Sequence, residues 1–313
     1  MGNRRDFIKK SAVAGLGSGF LFSAPKIHKP AFQVASKINV FSKHLQFLDY
    51  EEMARMVAKV GFDGVDLTVR PGGHVFPENV KEDLPKAVKA CQDKGLEVPM
   101  MSTAIRSASQ PDTERILSTA SDQGIQFYRM NWLKYDHKES MSENLAKFKE
   151  TLSDLAALNQ RYKIKGAYQN HSGTSLGSPV WDIAGLLREI DSNWLGCQYD
   201  IRHATVEGGN SWPLGLRMVA DQINTIDIKD FIWEETSEGW KLKNVPLGEG
   251  MVDFGKFFSL LKELKISVPF SMHFEYDLGG AEHGNREIGI STDEVFEAMK
   301  RDFLVLRELL ARS

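Results

Sequence analysis

Residues 223–230 read Ile-Asn-Thr-Ile-Asp-Ile-Lys-Asp, and this pattern decides how the rest of the chain is read. Its β-branched and apolar content marks a strand, and its charges, Asp227, Lys229 and Asp230, crowd at the carboxyl end. A period of two puts Asp227 and Lys229 on one face. Further runs of this kind lie at residues 38–41, 64–69, 97–101, 126–130, 164–169, 195–199 and 268–274. Between them, apolar residues recur at helical spacing. Met53, Met56, Val57 and Val60 form one such set, and Leu145, Phe148, Leu152, Leu155 and Leu158 another. Phe254, Phe257, Phe258, Leu261 and Leu264, then Phe296, Met299, Phe303, Leu306 and Leu310, repeat the signal. The alternation predicts an α/β fold closed as a parallel (β/α)8 TIM barrel, in which function sits at the carboxyl ends of strands.

Gly61 and Gly95 follow helical segments where a left-handed terminal residue is wanted, and a strand comes soon after each. The main rival, a doubly wound open sheet, lacks support because no glycine-rich phosphate loop follows the first strand. The 313 residues suit one barrel, and no linker divides them. The expected partition is an amino-terminal signal and tail over 1–36 and a single catalytic barrel over 37–313.

A hydrophobic content of 42% with 26% charged residues is that of a soluble globular protein. A net charge of −3 offers no basic excess for a nucleic-acid backbone or an anionic membrane, so the expected partner is a small molecule. Subunit assembly is left open, with a homo-oligomer allowed. Cys91 and Cys197 lack metal-site spacing and read as small buried apolar residues, with a disulfide as the alternative.

Arg4 and Arg5, with Phe7 and Lys9 after them, precede a run from residue 11 to 24 without acid or base. This resembles a twin-arginine export signal and implies a periplasmic location. The run is too short for a bilayer, which takes about 20 residues, so stable membrane insertion is not expected. The alternative is a basic, frayed terminus.

The residues that end the strands are polar: Lys43 and His44, Arg70 and His74, Ser102 and Thr103, Asn131 and Trp132, Gln169 and His171, Asp200 and His203, Asp227 with Lys229 and Asp230, His273 and Glu275. Oxygen donors converging from neighbouring strands suit a hard divalent cation, Mn²⁺ or Mg²⁺. Gln169, Asp200, Asp227 and Glu275 are the candidate ligands. For Asp200 and Glu275 the competing reading is a salt bridge across the barrel mouth, which needs a basic partner at the same height.

Four segments carry a family resemblance: GAYQNHSG from Gly166, LGCQYDIRHA from Leu195, INTIDIKD from Ile223 with VPLGEGMVDF from Val245, and FSMHFEYD from Phe270. They look like the xylose-isomerase-like barrel superfamily of sugar isomerases, ketose 3-epimerases, inosose dehydratases and apurinic endonucleases. In its epimerase-like branch the matching positions usually read Glu, Asp, His and Glu and bind one divalent metal. Here Gln169 replaces a carboxylate and Asp227 an imidazole, which keeps the summed charge. Zn²⁺ fits less well, since no nitrogen donor remains unless His171 or His203 turns inward.

The resemblance implies a divalent-metal-dependent sugar isomerase or epimerase working by proton transfer beside a polarised carbonyl. Gln169 has no titratable proton, so only Glu275 remains of the family's proton-exchanging pair, with His171 as the nearest substitute. This brings forward a one-base lyase or dehydratase, for example on a 3-keto-glycoside. A sugar-binding barrel without catalysis is the alternative of another class. Lys229 could stabilise an enolate or simply pair with Asp227. Arg70, His74, Arg129 and Trp132 would line a sugar pocket, with Trp132 stacking on a ring face. His203 and His273 are further candidates for substrate contact. Glu249 is expected to shape the loop over the site, while Asp136 and His137 read as solvated surface.

Overall fold

The computed structural model describes residues 34–312 of the protein. Eight parallel strands close into a barrel: β1 (Ala35–Phe41), β2 (Gly64–Val69), β3 (Glu97–Thr103), β4 (Phe127–Arg129), β5 (Lys165–Gln169), β6 (Leu195–Asp200), β7 (Ile223–Ile228) and, after an inserted antiparallel hairpin of β8 (Asp230–Thr236) and β9 (Gly239–Val245), β10 (Val268–Met272). Closure is made between β1 and β10, where Ile38 lies opposite Phe270 and the Asn39 side-chain amide donates to the Phe270 carbonyl at 3.0 Å. β2 and β6 are buried along their whole length, as strands covered on both faces by helices and barrel interior must be. All eight expected barrel strands are present. The one at 268–274 ends early, so His273 and Glu275 stand just past β10. β1 starts at Ala35, slightly before the expected barrel boundary. The export signal expected over 1–36 falls almost wholly outside the described residues.

The helices form where the apolar spacing places them, and local capping sets their ends. In α1 (Tyr50–Val60) the Asp49 carboxylate accepts the N–H of Glu52, and Gly61 ends the helix at φ 106°. Gly95 has φ 76°, the left-handed turn expected of it. α4 (Met141–Tyr162) opens with a reciprocal Ser140–Glu143 capping box. In α6 (Ile201–Gly208) the capping residue is Asp200, which accepts the N–H of His203 at 3.0 Å, so one carboxylate serves both helix and barrel mouth. Cys91 and Cys197 are buried free thiols. Among the described residues no helix is long and apolar enough to cross a membrane.

The hairpin follows directly on β7, and the sequence reading assigns it no structure. After buried Asp230 and Phe231 its alternation runs between half-exposed and exposed positions, so it lacks the continuous buried stripe that marks the barrel strands. Asp230 fixes the chain's return from it. The Asp230 carboxylate accepts N–H groups from Phe231, Gly248, Gly250 and Val252 at 2.9 to 3.2 Å. Glu249, expected to shape this loop, is exposed, and Asp230 does the holding.

Candidate active site at the barrel mouth

Strand register brings the acidic residues together. Asp200 lies opposite Asp227, Asp227 lies opposite Ser271, and Gln169 lies opposite Gln198. At their centre is Lys229, whose Nζ sits 3.1 Å from Asp200 Oδ2 and 3.2 Å from Glu275 Oε2. The basic partner that a salt-bridge reading of Asp200 and Glu275 requires is therefore present, and it is Lys229. Lys229 pairs with these two and not with Asp227, the ion-pair partner that strand spacing offered as one alternative. Asp227 is held instead by amides: Gln169 Nε2 donates to its Oδ2 at 2.5 Å and Gln198 Nε2 to its Oδ1 at 2.6 Å. Gln169 Nε2 also donates to Asp200 at 3.1 Å, while its Oε1 accepts from Arg129 at 2.9 Å.

Burial works against every charge here, and pairing decides which survive. Burial alone would lower the Lys229 ammonium, but Asp200 and Glu275 outweigh it and hold the group above the ordinary lysine range. Burial would likewise raise Glu275, but Lys229, His273 and Lys43 keep it ionised well below the usual carboxylate range. Asp200 is pushed up by burial, and Lys229 offsets this only in part. The His273 ring stacks on Phe41 at 4.3 Å, with Nε2 3.3 Å from Asp227 and Nδ1 3.6 Å from Glu275. Burial opposes its charge, yet Asp227 raises its pKa above the ordinary value.

A cavity of about 190 Å³ opens above this network, walled by Lys43, Arg70, Arg129, Lys229 and Glu275. Phe41, Trp132, Gln169 and His171 complete the lining. A groove of about 430 Å³ elsewhere lies among the exposed ion pairs of α1 and α2 (Val80–Gln92) and is surface relief. Lys43 has a place here that its strand-end position alone did not reveal: its Nζ is 3.5 Å from Glu275 Oε1. Arg70 and Arg129 flank the Phe41 ring at 5.6 and 5.7 Å, and burial lowers Arg70 to about 10. Neither guanidinium has a carboxylate ion-pair partner among the described residues. Trp132 stands 4.4 Å from the His171 ring. His171 Nδ1 lies 2.9 Å from the Ser172 carbonyl, which can only accept, so Nδ1 carries the proton and Nε2 keeps its lone pair.

Gln169, Asp200, Asp227 and Glu275 thus converge, but not as a cation cage. Arg129 can only donate and the carboxylates can only accept, which fixes the Gln169 amide with its NH₂ toward the centre. An ammonium already stands between Asp200 and Glu275. The residues in this arrangement do not fit the expected divalent metal. A different set, Asp66, Asp227 and His273, brings donor atoms within 4.8 Å of one another and has the residue types for a metal ion. Asp66, absent from the sequence-based candidates, lies inside β2 and accepts hydroxyls from Ser102 at 3.1 Å and Ser271 at 2.8 Å.

Two histidines expected at the pocket lie beside it. His203 lies against His171, with ring centroids 3.9 Å apart and the planes tilted by 39°, its Nδ1 accepting from Arg202 at 2.9 Å and its Nε2 3.5 Å from Asp200. His74 does not reach the cavity. Its Nε2 meets the Leu45 carbonyl at 3.0 Å, and burial pushes its pKa down to about 4. A neutral buried imidazole stabilises the fold fully above the unfolded-chain pKa near 6.5, and this contribution is lost as pH falls from there toward about 4. Unfolding free energies from urea titrations between pH 7 and 4.5 are expected to fall, by roughly 3 kcal/mol at the limit, and more gently in His74→Gln. Parallel slopes for the two proteins would remove His74 as the cause.

A family profile described as xylose isomerase-like TIM barrel matches residues 54–293. The chain is 22% identical over 234 residues to an L-ribulose-5-phosphate 3-epimerase of Escherichia coli, covering 70% of this chain and 80% of that one. Its fold matches the apo form of a 3-keto-D-glucoside 4-epimerase from E. coli with a TM-score of 0.65 at 15% identity, covering 87% and 99% of the two chains. A xylose isomerase-like barrel protein from Mycobacterium smegmatis, solved in complex with magnesium, matches with a TM-score of 0.61 at 14% identity over 85% and 97%.

Proposed function

Because the chain belongs to the xylose isomerase-like TIM barrel family, we propose that it is an isomerase- or epimerase-type enzyme that moves a proton next to the carbonyl of a small sugar or keto-sugar. The observation that carries this reading is Glu275, the one carboxylate in the cavity wall, held ionised between Lys229 and Lys43. An ionised carboxylate is in the form that accepts a proton. Glu275 would take the proton from the carbon beside the carbonyl, and the C–H electron pair would move onto the carbonyl oxygen. His171, with its Nε2 lone pair, is the second group on the cavity able to handle a proton. Reprotonation of the carbon on its other face inverts the centre, which is epimerisation. The relatives named above, one acting on a ketose phosphate and one on a 3-keto-glucoside, supply the substrate class.

Gln169 favours a second reading, because an amide cannot serve as the opposing base. With one base, the same carbanion can expel a leaving group at the β-carbon, and the enzyme is a lyase. Incubation with ketoses and 3-keto-glucosides in D₂O separates these. Deuterium at the carbon beside the carbonyl, with formation of the epimer, is the expected result. Release of an alcohol with an unsaturated ketone and no epimer would replace the epimerase reading with the lyase.

A further inference from the structure

We propose that the Lys229 ammonium takes the place of the divalent cation implied by the family resemblance, as a built-in electrophile for the substrate carbonyl. This rests on the proton-transfer reading above and adds what stabilises the negative charge. Three observations support it.

The first is position. Nζ of Lys229 lies within 3.2 Å of Asp200 and Glu275, the two carboxylates among the candidate ligands that no amide neutralises from both sides, and its side chain is only 3% exposed. The second is the polarity of the surrounding donors. Gln169 aims N–H groups, not oxygen, at Asp200 and Asp227. Turning the amide over would set its oxygen against two carboxylates and its NH₂ against a guanidinium. Both Asp227 oxygens already accept from amides, with the His273 ring a third neighbour.

The third is charge. Lys229 meets Asp200 and Glu275, Lys43 meets Glu275, and the His273 ring lies 3.3 Å from Asp227, with the Arg129 guanidinium one amide away on Gln169, so each carboxylate already has a basic neighbour. A divalent ion added to this set would meet a neutralised site, with Arg70 beside it. An ammonium in a dry site stabilises a developing oxyanion strongly because little solvent competes for it. As the α-proton passes to Glu275, the C–H electron pair moves to the carbonyl oxygen and Lys229 hydrogen-bonds the resulting enolate. No other reactant is needed.

The test uses the full chain, dialysed against EDTA and then titrated with MnCl₂, reading bound Mn²⁺ by electron paramagnetic resonance and Tm by calorimetry. The expected result is no tightly bound Mn²⁺, no rise in Tm, and deuterium exchange unaffected by EDTA. Lys229→Met is expected to lose exchange by roughly 10²-fold or more. It should also gain Mn²⁺ binding and a Mn²⁺-dependent rise in Tm, because Asp200 and Glu275 are left without their counter-cation. If that variant folds only with metal, the wild-type titration still decides. Uptake of Mn²⁺ by wild type would overturn the proposal, whether abolished by Asp200→Asn or by Asp66→Asn. The Mn²⁺ readouts need no substrate, so failure of the epimerase reading is distinguishable from failure of this one.

Discussion

Glu275→Gln is expected to slow deuterium exchange by roughly 10² to 10⁴-fold, the range over which a positioned base acts. The change keeps the shape of the side chain and an oxygen for Lys229 or Lys43, at 3.2 and 3.5 Å, while removing the only proton acceptor among the wall carboxylates. Lys229 keeps its pairing with Asp200 at 3.1 Å, so the variant should remain folded. Single-turnover rates in D₂O, with substrate binding followed separately by calorimetry, should show the loss in the chemical step and little change in affinity. An exchange rate equal to wild type with intact binding would eliminate Glu275 as the base, and a sugar-binding barrel without catalysis would follow if no other variant mattered.

The second large effect is structural. Asp230→Ala strips four backbone N–H groups of their shared acceptor, at Phe231, Gly248, Gly250 and Val252. Hydrogen bonds to a charged acceptor contribute about 1.5–3 kcal/mol net each, but the four share one carboxylate and the Gly248 and Gly250 donors are only partly buried and can recover water, so the expected loss is about 3 kcal/mol. Chemical denaturation measures it, and Asp230→Asn should fall between the two, since an amide offers one accepting oxygen. Gly250→Ala provides an independent check. A side chain there would strike the Asp230 carboxylate and come within 2.5 Å of the Phe231 carbonyl, so it should displace the acceptor and disrupt the same loop while leaving its charge in place. A loss under about 1 kcal/mol for both would mean the loop is held by other contacts.

The barrel was legible because its strands are buried runs and its helices carry apolar stripes, two periods that a one-dimensional pattern records. The hairpin left no such trace: Glu234, Lys241 and Lys243 face solvent, and Trp240 is exposed. Of the mouth, the convergence of Gln169, Asp200, Asp227 and Glu275 could be read from strand ends, but not how they pair. Lys229 meets Glu275 across 46 positions, and its choice of Asp200 over Asp227 depends on two amides, Gln169 and Gln198, already occupying Asp227. Asp66 was hidden because Gly64–Val69 reads as strand interior, and sequence spacing does not say how deep in a barrel a residue sits. His74 follows a strand end and still misses the pocket, because its backbone N–H donates to the Thr68 hydroxyl at 2.8 Å and the ring is anchored at Leu45.

The seam between β1 and β10 has a consequence in time. Asn39 and Phe270 meet across 231 positions, so the ring cannot close until nearly the whole chain exists. At common synthesis rates the first strand waits roughly 10–50 s on the ribosome for its neighbour, its outer edge without a partner. Entropy of closing so long a loop grows only logarithmically with length, so the burden falls on speed more than on final stability. Misassembly in cells should therefore respond to how fast the last quarter of the message is translated, and a circular permutant opened elsewhere in the ring would move that vulnerable interval to a different pair of strands.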